Sequence, residues 1–411
     1  MSDGAVVDGS VTLRVSPAPA PDANTPSSAS VEPRYGYARG VVERPDVVIV
    51  GGGVMGTAAA RALSSRGRAV LLLERFTFGH ANGSSGGSTR NFRLTYHDPV
   101  YVRMARHALE RWRRLESEAD LELLRVVGGL DVGEATDVSA AALESAGESF
   151  ERPSAADVAE RWPLLRFDEG STFLYQPEGA IVRADEAIAA QVRLARAAGA
   201  DLRERAVVDA LRPVGEGVEL VTSDGEVIRA PTAIVAAGAW AAPLLRDAGI
   251  DLPLRPTLEQ STHFEMASEG SSIPTIIEWD PDPSQPPYLV PNPFRPGECK
   301  AGSHLSGPVI ALDARSFDPD AGREASTIGW VGERLASPPR LLKTETCLYT
   351  TTPDEDFVID RIGPLVIASP CSGHGFKFAP LVGELLADLA AGEPSPVPLD
   401  RFRADRPTLR I

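Results

Sequence analysis

Apolar residues along this chain change rhythm from one region to the next. Val47–Val50 is an unbroken apolar run followed by Gly51, Gly53 and Gly56, an alanine-rich segment that ends at Gly67, and a second apolar run that ends at Glu74. Short unbroken apolar runs bounded by glycine fit strands buried on both faces, and the alanine-rich stretch between them fits a crossover helix. Farther on, Arg183–Glu204 predicts a helix and its following strand, "TSDGEVI" a hairpin, and "APTAIVAAGAWAAPLL" a buried strand running into Gly238. The texture differs in "LLRVVGGLDVG" and from about Leu254 to Ser337, where Pro, Thr and alternating apolar positions indicate antiparallel strands. Residues 1–44, rich in Pro, Ala and Ser, read as a flexible extension with one candidate strand, "VTLRV".

Composition narrows the class. A chain of 411 residues has room for two domains, each with a full core. The formal net charge of −16 argues against nucleic acid or an anionic membrane as the main partner. Three scattered cysteines make neither a disulfide framework nor a CxxC pair, which points to a reducing compartment. No apolar run reaches the length of a membrane span. The first residues, "MSDGAVVDGS", lack the basic start and apolar stretch of a secretion signal, so the cytoplasm is the expected location.

The order strand, Gly51-x-Gly53-x-x-Gly56, helix, strand, Glu74 is the context in which a GxGxxG pattern carries information. The glycines permit a tight turn and let backbone N–H groups approach a pyrophosphate. The helix N-terminus favours phosphate charge, and an acid after the second strand can accept from ribose hydroxyls. Val54 and Met55 at the helix start, with Glu74 and Arg75 beyond the second strand, complete a dinucleotide site. NAD and FAD share this signature. The expected fold is α/β (α+β overall), with a discontinuous Rossmann-like dinucleotide domain at 45–124, 180–250 and 345–411. An interleaved antiparallel-sheet substrate domain occupies 125–179 and 251–344.

Three further stretches carry candidate chemistry. "NGSSGGSTRNFRLTY" (Asn82–Tyr96) offers a glycine- and serine-rich loop able to meet a flat ring, then Arg90 and Arg93, before a helix opened by Asp98 and Pro99. "CSGHGFKFAPLVGELLADLAAGE" sets glycines around His374 and places Lys377 just before an amphipathic helix opened by Pro380. A cation is disfavoured at a helix N-terminus unless an anion joins it there. In "PYLVPNPFRPGECKAGSHLSG", alternation puts Lys300 and His304 on one strand face.

With "VGGGVMGTAAA", "NGSSGGSTRNFR", "CLYTTTPDEDFVID" and "SGHGFKF" in this order, the chain from Asp46 onward resembles the monomeric sarcosine oxidase and N-methyl amino acid oxidase family. That family belongs to the D-amino acid oxidase superfamily of flavoproteins. The resemblance selects FAD over NAD and implies a covalent bond from Cys347 sulfur to the flavin 8α carbon. It implies that Arg93 and Lys377 hold a substrate carboxylate and that Lys300 promotes reaction with O2. Thr89 and Arg90 match residues near the flavin ring, and Tyr288, Tyr349, His304 and His374 match residues around the substrate pocket. Further cofactor contacts are implied at Ser84 and Ser88, at Val207 and Gly238, and at Gly373, Gly375 and Phe376, which precede Lys377. Gly86 departs from relatives that carry a histidine there. The expected activity is oxidation of a secondary or cyclic amino acid by hydride transfer to flavin N5, giving an imine and H2O2. The expected protein is a monomer acting on a small amino acid and O2, without metal. A dehydrogenase using another acceptor, a flavin-binding sensor and an NAD enzyme are the rival readings.

Overall fold

The apolar runs at Val47–Val50 and Val70–Leu73 are buried at every position, because different layers cover the two faces of their sheet. In the computed structural model, which describes residues 45–266 and 273–410, this sheet has six strands. Its order is Val358–Ile362, Leu365–Ser369, Thr232–Val235, Val47–Val50, Val70–Leu73 and Asp201–Arg203. All neighbours are parallel except the first pair. Val47, Ile49, Val70 and Leu72 face a core shared with helices Val54–Ser65, Ala184–Ala197 and Ala379–Ala391. Val48, Val50, Leu71 and Leu73 face the opposite way, against a meander of Val208–Val214, Gly217–Thr222 and Val227–Ala230 and the helix Ala241–Asp247. Burial on both faces is why these runs lack polar alternation.

Small residues let the helices come close. Ala58, Ala59 and Ala60 are fully buried, and a Cβ on Gly383 of the last helix would lie 2.6 Å from the backbone of Ala58. That last helix, expected to be amphipathic, is buried at nearly every position from Ala379 to Asp388.

A seven-stranded sheet forms the second layer, in the order Arg340–Thr351, Arg255–Glu265, Glu298–Ser303, Pro287–Pro291, Thr275–Glu278, Gly129–Val132 and Phe173–Gln176. Its pairings are antiparallel except that of Thr275–Glu278 with Gly129–Val132. One face packs on an apolar core that includes Phe264, Leu289, Cys299 and Val331, the last from helix Ala321–Arg334. The other presents Lys300, Tyr288, Cys347 and Tyr349 to a cavity. A three-stranded sheet of Thr89–Phe92, Ala180–Arg183 and Leu124–Val126 adjoins it in sequence. The divisions expected at 124/125 and 344/345 fall inside strands Leu124–Val126 and Arg340–Thr351. Both strands run unbroken, and composition carries no mark within a continuous β run. The extension expected over 1–44 lies outside the described residues. Among the described residues, no helix is long and apolar enough to cross a membrane.

Gly383 and Gly329 test this packing in opposite directions. A Cβ at Gly329, inside helix Ala321–Arg334, meets nothing within 4 Å. Gly329→Ala is expected to gain about 0.5–1 kcal/mol from helix propensity, whereas Gly383→Ala should lose about 1–3 kcal/mol by overpacking. Denaturant midpoints of the two variants read both signs.

Candidate active site

The turn after Val47–Val50 exists because three glycines bring backbone against backbone. Gly51 has φ +105°, and a Cβ there would lie 2.5 Å from the Ala236 carbonyl oxygen. A Cβ on Gly56 would lie 1.9 Å from the Gly51 oxygen. The helix that begins at Val54 has no side-chain cap from its N-cap residue Gly53; the Val54 N–H donates instead to Ser85 Oγ at 3.1 Å. Glu74 Oε2 accepts from Gly52 N–H at 2.6 Å, and Oε1 accepts from Phe76 N–H at 2.7 Å with His80 Nε2 at 3.3 Å. Burial raises the Glu74 carboxyl, but the bonds from His80, Phe76 and Gly52 outweigh it and hold the group below its ordinary value. Glu74, Arg75 and Val207 line a cavity of about 110 Å³, with Arg75 5.5 Å from the ring centre of Trp240. Gly53, Ser84 and Gly238 line both this space and a larger cavity of about 840 Å³, whose wall also includes Val54, Met55 and Ser88.

Glycines also admit the walls of the larger cavity. A Cβ on Gly373 would strike the Tyr349 ring at 2.3 Å and His304 at 2.5 Å, and one on Gly375 would sit 1.7 Å from Pro370 O. Gly86, the departure noted above, has the same reason: a Cβ there would lie 2.6 Å from His80 O. Arg90 braces this loop, donating to Ser84 O at 3.1 Å, Gly86 O at 2.5 Å and Thr89 O at 2.9 Å while stacking on Phe376. Lys300 Nζ donates to the same Thr89 oxygen at 2.5 Å. Burial, then the Arg90 charge, lowers Lys300 to about 7. Cys347 stands in the wall, its thiol pushed up by burial. Cys371 Sγ accepts from Thr350 N–H at 3.3 Å, and Cys299 is buried on the far side of the sheet.

Arg93 and Lys377 come from segments 284 positions apart (377 − 93) and meet at one aromatic ring. The Arg93 guanidinium lies 4.6 Å from the Tyr96 ring centre and Lys377 Nζ 5.5 Å from it. Lys377 Nζ donates to Tyr96 Oη at 3.0 Å and His374 O at 2.8 Å, while a buried Arg93 Nη1 has no partner. Among the described residues, no carboxylate lies at ion-pair distance from Arg90, Arg93, Lys300 or Lys377. Burial and then Arg93 depress Lys377 well below the ordinary lysine value. Burial and these two cations lower His304 to about 4, and His374 falls well below its usual value for the same reasons. Both imidazoles are therefore neutral near pH 7. Tyr288, Tyr349, His304 and His374 all line the cavity with the two cations.

Sequence reasoning missed Tyr96, Trp279 and Asp131. Tyr96 had a signal, since it follows Arg93 by three residues. Trp279 packs 5.4 Å from Arg93 and against His97 at the cavity rim. Asp131, 4% exposed in an otherwise apolar strand, has one oxygen without a partner. Burial lifts it to about 6 against the pull of Arg93.

The glycine cradle, the helix start that its own N-cap residue leaves uncapped and the unpaired cations fit a flavin dinucleotide spanning the two cavities with an anionic substrate beyond it. Comparison with known proteins agrees. The profile described as FAD dependent oxidoreductase matches residues 46–389. A probable sarcosine oxidase of Arabidopsis thaliana is 32% identical, covering 84% of this chain and 88% of its own. The monomeric sarcosine oxidase of Streptomyces avermitilis is 31% identical, covering 87% and 96%. The solved structure of NikD, an amino acid oxidase essential for nikkomycin biosynthesis, superimposes with a TM-score of 0.79 at 28% identity, covering 88% and 98%.

Lys377 is 6% exposed and lacks an anion, so its charge opposes folding. A lysine whose folded value lies below its unfolded value binds fewer protons when folded, and stability rises with pH between the two. From about pH 7 to pH 10, the wild-type unfolding midpoint should therefore climb relative to Lys377→Met. A saturating carboxylate ligand should flatten that difference.

Proposed function

Because the chain belongs to the FAD dependent oxidoreductase family, we propose that it is an FAD-dependent oxidase of a secondary or cyclic amino acid, in the manner its sarcosine oxidase relatives' names describe. The observation that carries this reading is the pair Arg93 and Lys377, two cations in one cavity without a carboxylate partner among the described residues. Unpaired buried charge is costly, and the two oxygens of a substrate carboxylate can pair with both groups at once. FAD, when bound, would supply a two-electron acceptor at N5 for the hydrogen on the carbon next to nitrogen, with O2 as the final acceptor and H2O2 as its product.

The chain's own residues set the conditions. Arg93 and Lys377 fix the amino acid by its carboxylate end, Tyr96 holding the ammonium of Lys377 in place. The substrate nitrogen must be neutral to release a hydride, and the uncharged His304 and His374 add no further positive charge around it. The imine product is left for water to hydrolyse. Positioning and electrostatics supply the catalysis, with no strong side-chain base required. Lys300 places a cation where electrons leave for oxygen. Cys347 anchors the flavin through sulfur, and Glu74 takes the ribose. We assign 45–124, 180–250 and 345–411 to the cofactor and the remaining described segments to the substrate, in a monomer of the cytoplasm.

An anaerobic panel of N-methyl and cyclic amino acids tests the reading directly: at least one must bleach the flavin absorbance, and its amide must not. An amide that bleaches as fast as its acid would make a simple amine the substrate. Arg93→Met should raise KM by about 30- to 1000-fold, the loss of about 2–4 kcal/mol of charge-assisted binding.

The oxygen step has an independent readout. Lys300→Met should slow reoxidation far more than reduction. In wild type, reoxidation should fall as pH rises through about 7, where Lys300 loses its proton, while reduction rises toward the amine pKa. An unchanged oxygen rate in Lys300→Met would favour a different electron acceptor.

A further inference from the structure

We propose that Glu259 is the proton acceptor that frees Cys347 for covalent capture of the flavin, an inference that rests on the reading of Cys347 as the anchor. Strands Arg255–Glu265 and Arg340–Thr351 pair antiparallel, and their register sets Glu259 directly opposite Cys347. Directly opposed residues project to one face with Cβ atoms about 4.5–5.5 Å apart. Cys347 lines the cavity, and Glu259, 2% exposed, is its buried cross-strand neighbour on the same face.

Glu259 is held in place without being neutralised. Its Oε1 accepts from Thr257 Oγ1 at 2.6 Å and its Oε2 from Gly307 N–H at 2.9 Å. Gly307 is suited to this, since a Cβ there would lie 2.9 Å from the Glu259 carboxyl carbon. Among the described residues, Glu259 has no ion pair, so lone pairs on both oxygens remain for a thiol proton. Other charges act from each side: Arg90, Lys300 and Arg315 on Cys347, with the Cys371 thiol also felt there, and Arg323 on Glu259, with Tyr288 and Tyr349 close by. Lys300, the other base within reach of the thiol by charge, already donates to Thr89 O at 2.5 Å. Burial raises the thiol and the carboxyl alike. A thiol kept protonated by its surroundings needs a local base before it can act as a nucleophile.

The step balances as follows. Cys347 Sγ bonds to the flavin 8α carbon and gives its proton to Glu259. The 8α carbon loses one C–H bond, its proton going to solvent. Two electrons pass into the flavin ring, which takes up two protons; the thioether is then the oxidised carbon and the ring the reduced partner. O2 removes the electron pair afterwards as H2O2.

Full-length protein prepared without flavin and mixed with FAD under air provides the test. Covalent flavin is counted after denaturation by fluorescence and mass, and expressed per FAD bound before denaturation. Wild type should attach FAD and Cys347→Ala should not. Glu259→Gln should bind FAD yet attach it at least tenfold more slowly, and its rate should climb with pH as solvent ionises the thiol, while wild type levels off. Glu259→Asp should recover part of the rate. Attachment by Glu259→Gln at the wild-type rate, or slowing that pH does not relieve, overturns the role of Glu259. Absence of covalent flavin in wild type overturns the Cys347 anchor itself, an outcome the first two proteins alone reveal.

Discussion

The contact between Gly56 and the Gly51 carbonyl is the constraint on which the remaining geometry depends. With 1.9 Å between that oxygen and the position a Cβ would take, the first helix can rest on the first strand only if no side chain intervenes. This approach aims the helix N-terminus at the space shared by both cavities. It also sets the height at which the alanine face of that helix meets the last helix at Ala58 and Gly383. The last helix in turn follows Lys377, so the position of one cavity-lining cation is tied by packing to the glycine turn after the first strand. Two walls of the cavity are thus two ends of one set of backbone contacts.

Where the chain announces its structure through local rules, the sequence could be read. The alternation of faces at Val47–Leu73, the helix opened by Asp98 and Pro99, and the hairpin near Gly225 all depend on neighbours in sequence. Lys377 before a helix was legible as an anomaly, a cation where charge is unwelcome. Asp131 and Glu259 were not legible. Each is a single acid in a strand whose partners lie far away along the chain, and only register and burial distinguish them from a solvated side chain. Strands Leu124–Val126 and Arg340–Thr351 run across 124/125 and 344/345, and composition does not change at either point.

Charge in the cavity is arranged as an imbalance. Arg90, Arg93, Lys300 and Lys377 face it, and burial raises Asp131, a buried acid that feels the charge of Arg93, to about 6. A chain with sixteen more acids than bases thus keeps these four cations in one cavity without an ion-pair partner among the described residues. Tyr96 makes that tolerable by giving its ring face to Arg93 and its hydroxyl to Lys377. Burial, with these cations beside it, holds the two histidines neutral, while Asp98, Asp185, Glu345, Asp354, Glu355 and Asp356 also line the cavity.

The order of the strands has a consequence for how the protein is made. Thr232–Val235 is completed as an inner strand only by Leu365–Ser369, and Val54–Ser65 is fully covered only once Ala379–Ala391 arrives. A nascent chain emerging from the ribosome therefore holds its glycine turn early but exposes the flank of its central sheet until Leu365–Ser369 and Ala379–Ala391 are synthesised. Long-range closure of this kind is slow and leaves unpaired strand edges open to wrong partners meanwhile. The few C-terminal turns thus act as the closing stitch of the whole fold, and a premature stop just before them would yield a sticky, aggregation-prone fragment rather than a weakened enzyme.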